Sequence, residues 1–141
     1  MTTDPLAKVR DPLIGQRIDG RYLVQGVLGR GGMGVVYEGL HEQLNRQVAI
    51  KVLGAGISGD PVAVKRFLRE AQTASQLTHG NIVDVSDIGV LEDGRPYLIM
   101  PKVNGIDLGA LLVRQGPQTP RRTADLLFGA AHAQELNAEL R

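Results

Sequence analysis

Cysteine and tryptophan are missing from this chain of 141 residues. Without cysteine there is no disulfide and no thiolate zinc site, so stability has to come from packing and hydrogen bonding. An excess of charge is missing as well: 16 Lys and Arg against 15 Asp and Glu give a formal net charge of +1, no electrostatic ground for a nucleic-acid or membrane-surface partner. No apolar run is long enough to span a bilayer and no signal peptide is visible, so a cytoplasmic location is the default expectation. Aromatic side chains are few. The five present (Tyr22, Tyr37, Phe67, Tyr97, Phe128) leave a core expected mainly from Val, Ile, Leu and Ala, with Phe67 and Phe128 as fillers. The length suits one domain, large enough to bury a core.

Glycine, by contrast, is plentiful, and its arrangement organises the chain. Leu28-Gly29-Arg30-Gly31-Gly32-Met33-Gly34-Val35-Val36-Tyr37 holds Gly29, Gly31 and Gly34 at G-x-G-x-x-G spacing, a turn with few side chains whose backbone can approach a phosphate chain closely. With 18 glycines in the chain this spacing is weak evidence by itself, and its context decides. A dinucleotide fingerprint needs a helix after the third glycine, whereas Val35-Val36-Tyr37 reads as a strand, so the expectation is a strand-turn-strand hairpin. A phosphate loop of the Gly-Lys-Ser or Gly-Lys-Thr type is excluded at Gly54-Ala55-Gly56-Ile57-Ser58-Gly59, which has no lysine at the required place. Val48-Ala49-Ile50-Lys51 then forms a further strand, with Ala49, Lys51 and Leu53 on one face and Val48, Ile50 and Val52 on the other. A lysine in such an apolar run is expected to need a carboxylate, a phosphate, or both.

In chain order, residues 1–20 read as a mobile leader with a short extended piece at Leu13 to Ile18, followed by strands at Tyr22 to Leu28, up to about Leu40, and Arg46 to Leu53. Gly54 to Gly59 reads as a flexible link. Asp60 caps a helix with Pro61 in its first turn; Val64, Phe67, Leu68, Ala71, Ala74 and Ser75 form its inward face and Glu70 lies on the flank. Strands at Val83 to Val90 and Tyr97 to Lys102 are joined by the Asp93-Gly94 hairpin signal. A short helix ends near Arg114, and a last helix starts with Thr119 as cap and carries Ala124, Leu127, Phe128 and Ala131 on one face. His132 reads as a surface histidine of that helix.

Glycine loop, strand, Val-Ala-Ile-Lys, a helix with Arg66-Phe67-Leu68-Arg69-Glu70-Ala71, His79-Gly80-Asn81-Ile82-Val83 and the stretch after Met100 occur in the order of a protein kinase small lobe, and Gly31-Gly32-Met33-Gly34 most resembles the bacterial Ser/Thr kinases. The resemblance implies an α+β fold: a five-stranded antiparallel sheet with one packed helix over residues 21–103, then two helices in residues 104–141. It implies ATP as ligand. Leu28 and Val36 would cover the adenine, Ala49 would line its pocket and Met100 would stand behind it. Pro101 would offer its carbonyl and Val103 its amide to the base. Gly29, Arg30, Gly31, Gly32, Met33 and Gly34 would cover the phosphates, with Lys51 on them and Glu70 holding Lys51. Asp87-Ile88-Gly89 copies a magnesium-binding triplet of the family but comes too early in the order, and reads as structural.

The family's catalytic aspartate and magnesium ligands have no counterpart in these residues, so magnesium, though expected for the family, finds no ligands here. The chain by itself is expected to be inactive in phosphoryl transfer. Two functions remain open. One is the ATP-binding lobe of a Ser/Thr protein kinase, from a truncated, frameshifted or natural fragment. The other is a non-catalytic, pseudokinase-like module that binds a partner protein or self-associates through Leu108, Leu111, Leu112, Leu127, Phe128 and Ala131.

Overall fold

The computed structural model describes residues 11–76, 83–105 and 108–126. Six strands form one antiparallel sheet: β1 (Arg17–Ile18), β2 (Tyr22–Gly31), β3 (Gly34–His41), β4 (Arg46–Leu53), β5 (Asp87–Val90) and β6 (Pro96–Pro101). Their order across the sheet is β1-β2-β3-β4-β6-β5. The expected count of five is corrected by β1, which pairs Arg17 with Leu23 and Ile18 with Tyr22. The tight turn between them suits its residues, since Asp19 and Gly20 both have positive φ and the Arg21 amide donates to the Ile18 carbonyl.

From Asp11 onward the expected leader is part of the fold. Leu13 and Ile18 are buried, the Gly15 amide donates to the Val24 carbonyl, and the Val24 amide returns to Gln16. Other elements follow local chemistry. The Asp60 carboxylate accepts from the Val62 amide at 3.0 Å and starts α2 (Pro61–Gln76), with Phe67 and Ala71 buried. Ser75, expected on the inward face, is exposed. The Gly54–Gly59 link contains a short helix, α1 (Ala55–Ser58). Pairing of the strand expected from Val83 starts only at Asp87, opposite Ile99. After α3 (Leu108–Gln115), a helical stretch at 120–126 begins at Thr119, whose hydroxyl accepts from the Arg122 amide at 3.2 Å. Leu127, Phe128, Ala131 and His132 lie outside the described residues.

Strand alternation divides the core into two faces. Val24, Tyr37, Val48, Ile50, Val52 and Ile99 pack together on one, joined by Tyr22 and Tyr97. On the other, Leu53 and Leu98 pack against Phe67 and Ala71 of α2. Phe67 is thus the expected filler, while the tyrosines fill the face away from the helix.

Asp11 secures that tyrosine-rich face. Its carboxylate accepts from the Leu13 amide at 3.0 Å and from the Tyr37 hydroxyl at 2.5 Å, and it stands 3.6 Å from the Arg30 guanidinium. Burial, with the Asp11 carboxylate adding its hydrogen bond and charge, pushes the Tyr37 hydroxyl from 10.0 up to about 12. A phenol whose pKa is raised by folding contributes stability below its unfolded pKa and loses it as pH climbs through the folded one. Unfolding free energy should therefore fall by about 3 kcal/mol between pH ~10 and ~12 from this group. Chemical denaturation of the parent chain and of Tyr37→Phe across that range checks it: the phenylalanine variant should lack that part of the decline.

Candidate functional site

The hairpin of β2 and β3 overhangs the helix side of the sheet. Gly29 pairs with Val36, Arg30 with Val35 and Gly31 with Gly34, leaving Gly32 and Met33 at the tip, while register shifts near Gln25 and Leu28 twist β2. The strand-turn-strand expectation holds, with both strands running further into the glycines than their composition suggests. A Cβ on Gly29, Gly31 or Gly32 would meet nothing within 4 Å, whereas one on Gly34 would lie 2.0 Å from the Val52 carbonyl oxygen. The glycines thus divide into three that keep the loop bare and one that permits close approach to β4.

Under this hairpin is an open cavity of about 410 Å³ lined by Gly29, Arg30, Gly31, Gly32, Met33, Gly34, Val36 and Lys51. Lys51 lies opposite Val36 on one side and Leu98 on the other, so its side chain emerges on the helix face. It is exposed, although its neighbours Ile50 and Val52 are buried. Sequence alternation therefore predicted its face, while the expected cost of a charge in an apolar run is avoided because the cavity is open to water. Ala49, buried, and Met100, half-buried, pair with each other on the same face two residues from Lys51. Pro101 ends β6 opposite Val48, and Val103 beyond it is exposed. Leu28 is exposed at the root of the hairpin. Arg30 is among the lining residues, and its guanidinium stands 3.6 Å from the Asp11 carboxylate.

Glu70 and Lys51 are not brought together. Glu70 pairs instead with Arg66 one helical turn away, at 3.5 Å, with more than half of its side chain exposed. Among the described residues no ion pair involves Lys51, and no group of His, Cys, Asp or Glu could hold a metal ion.

Asp87 and Gly89 of the Asp87-Ile88-Gly89 triplet stand on the opposite face, while Ile88 between them packs toward α2. The Asp87 carboxylate accepts from the Tyr22 hydroxyl and the Arg21 guanidinium, both at 3.1 Å, and opposes Ile99 in the tyrosine-rich core. A Cβ on Gly89 would fall 2.5 Å from the Tyr97 hydroxyl oxygen, so glycine is needed there to seat that ring. Its role is structural.

The sequence model of the protein kinase domain matches residues 22–133. The chain belongs to the protein kinase domain family. Among curated relatives of this kinase chain, the Ser/Thr protein kinase PknA of Mycobacterium tuberculosis is 38% identical over 129 residues, covering 89% of the chain and 30% of PknA. The Ser/Thr protein kinase PrkC of Bacillus subtilis is 42% identical over 115 residues, covering 82% of the chain and 18% of PrkC. The chain thus spans less than a third of the length of these relatives. Among solved structures, the kinase domain of M. tuberculosis PknI superposes with a TM-score of 0.78 at 28% identity, covering 89% of the chain and 50% of that domain. The kinase chain is therefore similar to bacterial Ser/Thr kinases and carries the sheet of the kinase small lobe. Use of ATP and Mg²⁺ is general to the family. Among the described residues no helix is long and apolar enough to cross a membrane.

Proposed function

We propose that this chain binds ATP on the helix face of its sheet, as the nucleotide-binding part of a Ser/Thr protein kinase that transfers phosphoryl groups to protein hydroxyls. The observation that carries the reading is Lys51, exposed in a cavity walled by a bare glycine hairpin and two residues from the Ala49–Met100 pair. Such a hairpin supplies backbone amides to a phosphate chain and Lys51 supplies a compact positive charge. The apolar surface of Val36, Ala49 and Met100 suits a planar base, and the Pro101 carbonyl and Val103 amide can meet its polar edge. Because proline lacks only the amide donor, Pro101 is compatible with that role.

In this proposal Glu70 leaves Arg66 and takes up Lys51 when the phosphates are bound. The exposed Arg66–Glu70 pair holds it weakly, since such pairs contribute about 0.3–0.5 kcal/mol. A cytoplasmic location belongs to the same reading. Titration calorimetry with ATP, with and without magnesium, tests it. A dissociation constant that is micromolar at best is expected, because the site is one open wall and small ligands normally bury most of their surface. Submicromolar affinity would reveal a second wall, and no binding would remove ATP as the ligand.

A second reading, a protein-interaction module, is favoured by the apolar side chains exposed at and beyond the hinge, the stretch Pro101-Lys102-Val103 at the end of β6: Val103, Leu108, Leu112 and Val113. It would be preferred if the chain ignored ATP while its sedimentation coefficient rose with concentration.

A further inference from the structure

One ion pair at the base end of the site is not among the contacts expected from the sequence. The Lys102 ammonium donates to the Glu38 carboxylate at 2.7 Å, with 27% and 33% of the two side chains exposed. Strand register locates it. Glu38 opposes Ala49, and Ala49 opposes Met100, so these three residues form a row across β3, β4 and β6. The row lies on the face of Lys51, two residues from Ala49, and Lys102, two residues past Met100, follows on that face. The pair therefore bridges β3 to the residue after β6, at the end of the face remote from Lys51.

Lys102 lies between Pro101 and Val103, the residues proposed to meet the base. Its neighbour Pro101 has φ fixed by its ring, and Lys102 is held by its partner on β3. Two successive residues are thus restrained before any ligand arrives, which lowers the ordering cost of binding. We infer that Glu38 and Lys102 are a positioning pair that presets the hinge backbone for the base. The pair acts through the backbone of Pro101 and Val103, touches no phosphate, and rests on the ATP reading above.

The test uses the whole chain with two ligands, ATP and inorganic tripolyphosphate, and hydrogen exchange of the Met100, Lys102 and Val103 amides without ligand. Glu38→Gln and Lys102→Met should each weaken ATP binding by about two- to fivefold, the upper half of the range for a partly exposed ion pair, and leave tripolyphosphate unchanged. Their hinge amides should exchange faster. The reversed pair, E38K with K102E, should restore both ATP affinity and slow exchange, and high salt should erase the difference between parent and single variants. Equal losses for both ligands, a reversed pair that rescues nothing, or unchanged exchange in the single variants would overturn the inference. If the parent chain binds no ATP, the nucleotide reading fails and base recognition with it, while the exchange rates still report whether the pair holds the hinge.

Discussion

Lys51→Met is expected to weaken ATP binding by roughly 10- to 150-fold, while Asp87→Asn leaves the dissociation constant within about twofold. The two residues sit on opposite faces of the sheet. Lys51 pairs across to Leu98, on the side of α2, and its exposed ammonium is the positive charge inside the glycine-hairpin cavity apart from Arg30, whose guanidinium is turned toward Asp11. Hydrogen bonds to charged groups contribute about 1.5–3 kcal/mol each, so losing the ammonium should weaken a phosphate ligand by roughly 10- to 150-fold. From a starting point that is micromolar at best, that takes the dissociation constant to tens or hundreds of micromolar or weaker. Methionine preserves most of the side chain's length and has no need of the open cavity's water, so the fold should tolerate it. Asp87, by contrast, accepts from Tyr22 and Arg21 through one carboxylate oxygen and from the Ile88 amide through the other, so the single carbonyl oxygen of an asparagine can keep the Tyr22 and Arg21 contacts while giving up the one to Ile88, all at a site away from the cavity. Calorimetry on both variants, with circular dichroism to verify folding, decides the matter: equal losses, or no loss in either, would put the phosphate site somewhere other than β4.

The contrast between these two residues also marks how far the sequence is readable. Lys51 and the glycine hairpin are legible because strand alternation and turn chemistry are local: two residues of spacing fix a face, and Asp93-Gly94 or Asp19-Gly20 fix a turn. Asp60 and Thr119 are legible as caps for the same reason, each bonding an amide two or three residues on. Contacts between distant parts of the chain were not. Asp11 meets Tyr37 and Arg30 across 26 and 19 positions, and Lys102 meets Glu38 across 64. Nothing in the vicinity of either residue announces its partner. The edge strand β1 escaped because Arg17–Ile18 is too short to show a period. Glu70 shows a local contact prevailing over a distant one: Arg66 lies one turn away on the same helix whatever the tertiary structure, whereas reaching Lys51 depends on where α2 stands over the sheet. A flank position on a helix states only that a carboxylate can turn either way.

Gly34→Ala should lower stability by about 2–4 kcal/mol, the upper range for overpacking at a site that cannot relax, and Tm by roughly 10–20 °C for a domain of this size. Its added carbon would lie 2.0 Å from the Val52 carbonyl oxygen, 3.0 Å from the Gly54 nitrogen and 3.1 Å from the Val52 carbonyl carbon. All three are backbone atoms, so no side chain can rotate out of the way. Relief requires β3 to move off β4 at its first pair, Gly34 with Leu53, where the Gly54 amide also donates to the Met33 carbonyl at 2.8 Å. Leu53 is buried against Phe67 and Leu98, so a shift there passes into the contact between sheet and α2. Gly32→Ala, whose new carbon would meet nothing within 4 Å, serves as control and should change stability by no more than about 0.5 kcal/mol. Thermal unfolding of the two variants beside the parent gives the comparison. Should Gly34→Ala melt with the control, the close approach of hairpin to β4 does not exist in solution, and the cavity over Lys51 loses the support that sets its shape.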